Sequence, residues 1–245
     1  WKIILFTVLF LIISILTMLL LSKMLKLDPN KRAVFFLMGS FANVLFLGYP
    51  LLAALYGPTQ AALNVSLVSL AQNTILWTLG MYALSKITNS EKSAWKNLIN
   101  PMTISIVLAL IFKLSGIEIP SLIFEPLDRI GSVTPYLSML FLGTVMALSP
   151  LKAMLKDKSV YVFILFKNFV LPLIFGVLSF SVFNFMLTPT QSGVLTVEYA
   201  TSPMTSLAPF CKDNGLDHNL AGSLAVLSII VNIVSIPLIW LICQK

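Results

Sequence analysis

Asn43-Val-Leu-Phe-Leu-Gly-Tyr-Pro50 and Ser202-Pro-Met-Thr-Ser-Leu-Ala-Pro209 interrupt a chain that is otherwise almost entirely apolar. A proline inside a helix removes one backbone donor and frees a carbonyl. Lipid cannot satisfy such groups, so an interruption at membrane depth persists only where protein or a water-filled cavity receives it. Two such interruptions, one in each half of a hydrophobic chain, are the pattern expected where a membrane carrier holds its solute.

The surrounding composition agrees with that reading. Of 245 residues, 58% are hydrophobic and 10% charged, against roughly 25% charged in soluble domains, and the mean hydropathy is +0.96. Stretches of about 20 apolar residues, the length a bilayer requires, fall at 3–22, 33–56, 63–85, 101–117, 133–149, 160–186, 191–211 and 219–242. They show neither the alternation of an outer-membrane barrel nor the stripe of a surface helix. An all-α membrane protein with eight transmembrane helices is therefore expected.

The net charge of +7 distributes as a topology signal, which removes nucleic acid as a partner. Placing alternate loops on one side gathers eleven of the sixteen basic residues there: Lys23, Lys26, Lys31, Arg32, Lys86, Lys92, Lys96, Lys152, Lys156, Lys158 and Lys212. Four remain opposite, Lys2, Lys113, Arg129 and Lys245, and Lys167 lies within a span. The crowded side is expected to be cytoplasmic, with both ends of the chain and the acidic stretch Glu118, Glu125, Asp128 outside. A multi-pass protein of the plasma (cytoplasmic) membrane follows. Cys211 and Cys243 fall near opposite faces, too far apart for a mutual disulfide. His218, opening the last span, reads as a solvated loop histidine, and no metal or other cofactor is expected.

Two helices repeat a pattern. Ser69 and Asn73 stand at i, i+4 in the third span, as do Ser228 and Asn232 in the last, each pair on one helix face. Pro50 to Ser69 is 19 positions, and Pro209 to Ser228 is also 19. The loop assignment runs the two copies in opposite directions, an inverted-topology repeat. With five spans per copy, residues 97–245 hold a complete second repeat, helices 6–10 of an implied ten, and residues 1–88 hold helices 3–5 of the first. Trp1 opens directly into a span without an initiator Met, so the first two helices are expected to be missing before it.

At the interruptions the sequence resembles a known family. Ala42-Asn-Val-Leu-Phe-Leu-Gly-Tyr-Pro50 is similar to the Gly-Asn-Thr-Gly-Phe-Leu-Gly-Ile-Pro signature of the auxin efflux carrier family, whose bacterial members include malate and malonate permeases. Asn100-Pro101, the Pro135 to Gly143 stretch and the segment from Ser202 to Gly215 follow the same pattern. The resemblance implies a ten-helix (5+5) inverted repeat in which two proline-broken helices cross. It also implies a carboxylate-bearing substrate beside that crossing, and a transport domain moving against a scaffold. Asn43, Gly48 and Pro50 match the signature, and Pro203 matches the proline of a later Pro-Pro-Ala-Val-Asn pattern. Val44 and Leu45 replace Thr and Gly, Ser202 replaces the first Pro, and Ser206 replaces the Asn.

The residues support an anion on their own terms. Unwound segments offer backbone N–H groups and helix N-termini, and Asn43, Tyr199, Ser202 and Ser206 add neutral donors. Substrate contacts are expected at Asn43, Gly48, Tyr199, Ser202, Pro203 and Ser206, with Pro50, Pro203 and Pro209 shaping the crossing. Ser69, Asn73, Ser228 and Asn232 are polar support, which helix–helix hydrogen bonding would explain equally well. Pro172 and Pro237 read as plain kinks.

Two ionisable residues lie inside spans, where such groups are costly. Glu198 is a candidate proton or sodium site. Lys167 is expected to snorkel toward an interface, at a different depth from Glu198. There is no His-Glu-x-x-His, Gly-x-Gly-Asp, aspartate pair or second histidine, which excludes the intramembrane enzyme classes. No nucleotide-binding loop is present. The expected partners are a small organic anion, such as malate, malonate or an auxin-like acid, the lipid bilayer, a coupling proton or sodium ion, and a second copy in a homodimer. An anion channel and a non-transporting sensor are the alternatives to a carrier.

Overall fold

A computed structural model describes residues 1–88, 101–117, 119–133, 136–137, 140, 143–144, 147 and 156–243. Among them the chain is helical, with one isolated β-bridge and no strand. The first half runs α1 (Lys2–Met24), α2 (Pro29–Ser40), a π-helical turn (Val44–Gly48) into α3 (Tyr49–Tyr56), then α4 (Pro58–Ile75), a second π turn (Leu76–Gly80) and α5 (Met81–Thr88). There follow α6 (Pro101–Ser115) and α7 (Ser121–Ser132). The last part is α8 (Lys158–Leu165), a π turn (Phe166–Val170), α9 (Leu171–Val177), a π turn (Leu178–Val182), α10 (Pro189–Ala200), α11 (Leu207–Asp213) and α12 (His218–Cys243).

Local chemistry sets these boundaries. Asp28 accepts from the Lys31 N–H at 3.0 Å ahead of Pro29, and Thr188 with Gln191 makes a capping box ahead of Pro189. Both prolines sit in the first turn, where their missing N–H costs nothing. α1 closes with Lys26 at φ 52°, and the Leu27 N–H returns to Ser22 O at 3.2 Å, a left-handed cap.

Among the described residues three helical stretches are long and apolar enough to cross a membrane: Lys2–Met24, Lys158–Val182 and His218–Cys243; Val44–Tyr56 is a shorter apolar helix. On α1 the buried face carries Phe6, Phe10 and Met18, while Leu5, Leu9, Leu16 and Leu20 face outward. A helix apolar on both faces is solvated by hydrocarbon.

The expected spans at 33–56 and 191–211 are each broken in two. The chain leaves helix at Phe41 and at Thr201, both extended, and resumes at Val44 and Leu207. Residues 133–149, expected as a span, and the Asn100 and Pro135 positions of the family pattern lie wholly or largely outside the described residues, as does the boundary between the two expected repeats. Residues 121–132, expected in an outer loop, form the amphipathic helix α7, with Leu122, Leu127 and Ile130 exposed.

The first and last parts share one core. α1 packs on α2 and α4, α9 on α10, and α1 and α4 both reach α10. Phe10 of α1 stacks on Phe175 of α9 at 4.4 Å, and Tyr199 of α10 closes edge-on over both at 5.7 and 4.9 Å. α6 packs against α4.

Candidate functional site

The two interruptions touch. Ala42 and Pro203 form an antiparallel bridge. The Asn43 N–H donates to Ser202 O at 2.8 Å and the Met204 N–H to Phe41 O at 3.0 Å. The ladder bonds thus belong to the flanking residues, and Pro203 stands at the one position of the bridge that needs no donor.

The groups of Ala42 point the other way, into protein. Gln72 of α4 receives both: its Oε1 accepts from the Ala42 N–H at 3.1 Å and its Nε2 donates to Ala42 O at 2.7 Å. On the opposite side Asn232 of α12 lies 2.7 Å from Ser202 N and 3.1 Å from Ala200 O, and turning its amide oxygen to the former and its nitrogen to the latter satisfies both backbone groups. Asn168 also reaches this cluster, donating to Ser228 O at 3.2 Å and accepting from the Ser228 hydroxyl at 3.0 Å. Buried backbone groups are almost always paired, and here two side-chain amides from α4 and α12 pair those that the breaks release.

Several buried side chains around the bridge have no protein partner: Asn43 Nδ2, Ser69 Oγ, Ser202 Oγ, Thr205 Oγ1 and both oxygens of Glu198. A cavity of about 130 Å³ adjoins two of them, Asn43 and Ser69, and is walled further by Gln72, Asn73, Met204 and Ser206 together with 42 and 44–46. Orphaned buried polar atoms facing a void are where a polar solute gains most.

Of the residues expected to bind substrate, Asn43 and Ser206 line this cavity, and so do Ser69 and Asn73, expected only as support. Ser228 and Asn232 belong to the Asn168 cluster instead. Gly48, Ser202 and Pro203 stand outside the cavity wall. Tyr199 stands outside the cavity wall: its hydroxyl donates to Thr7 O at 2.7 Å and its ring packs edge-on against Phe10 and Phe175, so its donor is already taken by protein. Pro50 and Pro209 stand in the first turns of α3 and α11, beyond the bridge.

Gly48 packs on Glu198. A Cβ there would come within 2.5 Å of Glu198 Oε2, so the carboxylate lies directly against the backbone of the first π turn. Lys167 also departs from expectation. It does not snorkel but is buried at 2% exposure, donating to Tyr199 O at 3.2 Å. It makes no salt bridge with Glu198, but its bond to the carbonyl of Tyr199, the residue after Glu198, brings the two side chains to neighbouring levels, where different depths were expected. The one ion pair among the described residues is Lys31–Asp157 at 2.7 Å, joining α2 to the start of α8. Cys211 and Cys243 are buried and free. Among the described residues no three His, Cys, Asp or Glu converge as a metal site.

The residues that sequence reasoning missed are Gln72 and Asn168. Both are buried polar residues on apolar helices, a signal visible in the sequence, but the backbone groups they satisfy carry no sequence mark. The profile of the membrane transport protein family matches residues 1–94 and 86–240. No curated protein matches the chain.

Proposed function

Because the chain belongs to the membrane transport protein family, we propose that this integral membrane protein is a secondary transporter moving a small organic anion by alternating access past the bridge at Ala42 and Pro203. The observation that carries the reading is the cavity beside that bridge, with Asn43 Nδ2 and Ser69 Oγ unpaired in its wall. A family of transporters accounts for such a cavity without any catalytic constellation.

Size narrows the solute. A cavity of about 130 Å³ is slightly smaller than the roughly 150 Å³ that accepts benzene. It suits a three- or four-carbon carboxylate such as malonate or malate and is cramped for an indole acid. The donors are neutral amides and hydroxyls, which bind an anion without burying a lysine beside it. Glu198, unpaired and set against the turn that carries Asn43, is the group to hold a coupling proton or sodium ion. An imported dianion must overcome roughly twice 2.3 kcal/mol per 100 mV of inside-negative potential, which a co-transported cation offsets.

On this reading residues 1–88, the remainder of the first repeat, interlock with residues 97–245, the second, as an inverted repeat in the plasma membrane. Counterflow of labelled malonate, malate and indole-3-acetate in proteoliposomes, under proton and sodium gradients, tests the proposal. Saturable exchange of the aliphatic acids is expected. Non-saturating flux would mean a channel, and binding without flux a sensor; either would end the carrier reading.

A further inference from the structure

The cavity at the bridge is not the larger one among the described residues. A second, of about 340 Å³, opens between Asn30 at the start of α2, Met81 and Ser85 of α5, and Asn214 and Gly215 after α11. The two cavities share their walls in register. Along α4 and α5, Asn73 lines the small cavity and Met81 the large one; along the other wall Ser206 lines the small and Asn214 the large.

Residues four apart lie on one helix face. Trp77 is midway between Asn73 and Met81, and Phe210 midway between Ser206 and Asn214. Their rings meet edge to face, centroids 5.7 Å apart and planes at 77°. Eight helical residues rise about 12 Å, so along both walls the aromatic pair falls at a level between the two cavities, its rings lining neither. Trp77 lies in the π turn Leu76–Gly80, a local widening of the helix of the kind that recurs at functional sites. Asn30 fixes the rim of the large cavity, donating to Gly215 O at 3.3 Å and accepting from the Asp217 N–H at 2.7 Å. Among the described residues no charged side chain lines that cavity.

We infer that the large cavity is the vestibule of the solute path, and that Trp77 and Phe210 are the gate separating it from the site beside the bridge. The inference rests on the transport reading, and the solute is the same small aliphatic carboxylate. Alternating access requires such a barrier on each side of the site, and here it is a pair of rings held by packing alone.

The test uses the full chain in proteoliposomes and a membrane-impermeant thiosulfonate, counted above the background of buried Cys211 and Cys243. Ser85→Cys identifies the face that opens on the vestibule. From that face Ser69→Cys reacts slowly, and Trp77→Ala or Phe210→Ala speeds it about tenfold, as loss of one aromatic pair allows. Trp77→Phe keeps it slow. A Ser85→Cys rate unchanged by Trp77→Ala distinguishes an opened gate from a loosened fold. Equal Ser69→Cys rates with and without the rings overturn the gate, as does a parallel rise at Ser85→Cys. A faster Ser69→Cys that malonate fails to protect supports the gate and overturns the solute assignment instead.

Discussion

Asn43 and Glu198 show how single side chains at this bridge divide between structure and solute. Asn43 Nδ2 has no protein partner, so Asn43→Ala removes little from the fold. Thermal unfolding should change by less than about 1 kcal/mol, while malonate affinity falls about tenfold, the value of one hydrogen bond in a dry site. Equal loss of stability and affinity would show that the amide serves the fold. Gly48→Ala acts oppositely, driving a methyl group into the Glu198 carboxylate. It should cost about 1–3 kcal/mol by overpacking, and Glu198→Ala in the same chain should recover most of it. A double-mutant cycle with no coupling would mean that the turn relaxes without the carboxylate. That Asn43 and Ser206 would face a cavity was legible because polar groups flanking a broken helix have few other uses. The partners of Tyr199 and Lys167 were not, since position along a helix does not say which neighbour takes the hydroxyl or the ammonium.

At the scale of elements, the breaks could be read from proline and glycine, but their meeting point could not. Pro50 and Pro209 mark where α3 and α11 resume, whereas contact falls at Ala42, a residue with no distinguishing chemistry. What secures it is Gln72, one position from an asparagine that drew attention for its spacing. Gln72→Leu strands the N–H and C=O of Ala42 and should destabilise the protein by roughly 2 kcal/mol or more. Asn73→Ala loses only a bond to Ser69 O within its own helix and should cost about 1 kcal/mol or less. Chemical denaturation in detergent ranks the two, and the reverse order would remove Gln72 from this role. The helix α7 was missed because its three charged residues read as a loop, although its apolar positions follow a helical face.

Across the whole molecule, Lys31 and Asp157 tie the first part of the chain to the last. The hydrogen bond from Lys31 to Asp157 holds the lysine above its ordinary pKa despite partial burial. Burial raises the Asp157 carboxyl, but bonds from Lys31 and Ser159 outweigh it and leave the carboxyl below its usual value. The lysine's contribution to stability is present below about pH 10.4 and fades as pH rises through its folded value. The aspartate's is present above about pH 3.9 and fades as pH falls through its folded value. The pair therefore acts fully between these limits. Being partly exposed it is worth less than about 1 kcal/mol, so Lys31→Ala should shift unfolding slightly. Asp157→Ala should shift it more, because Asp157 also caps α8 through the Ser159 N–H at 2.9 Å. Equal shifts at neutral pH would leave the cap without a role.

The hydrogen bond from Asn43 to Ser202 beside the bridge joins residues 159 positions apart. At ribosomal rates that interval is roughly 8–30 s. During it Gln72 can already hold Ala42, but the Asn43 amide and the Phe41 carbonyl have no native partner, at a depth where lipid offers none. Biogenesis therefore leaves a half-made protein with an open seam in the bilayer until its own C-terminal part arrives, and the insertion machinery or a chaperone must shield that seam.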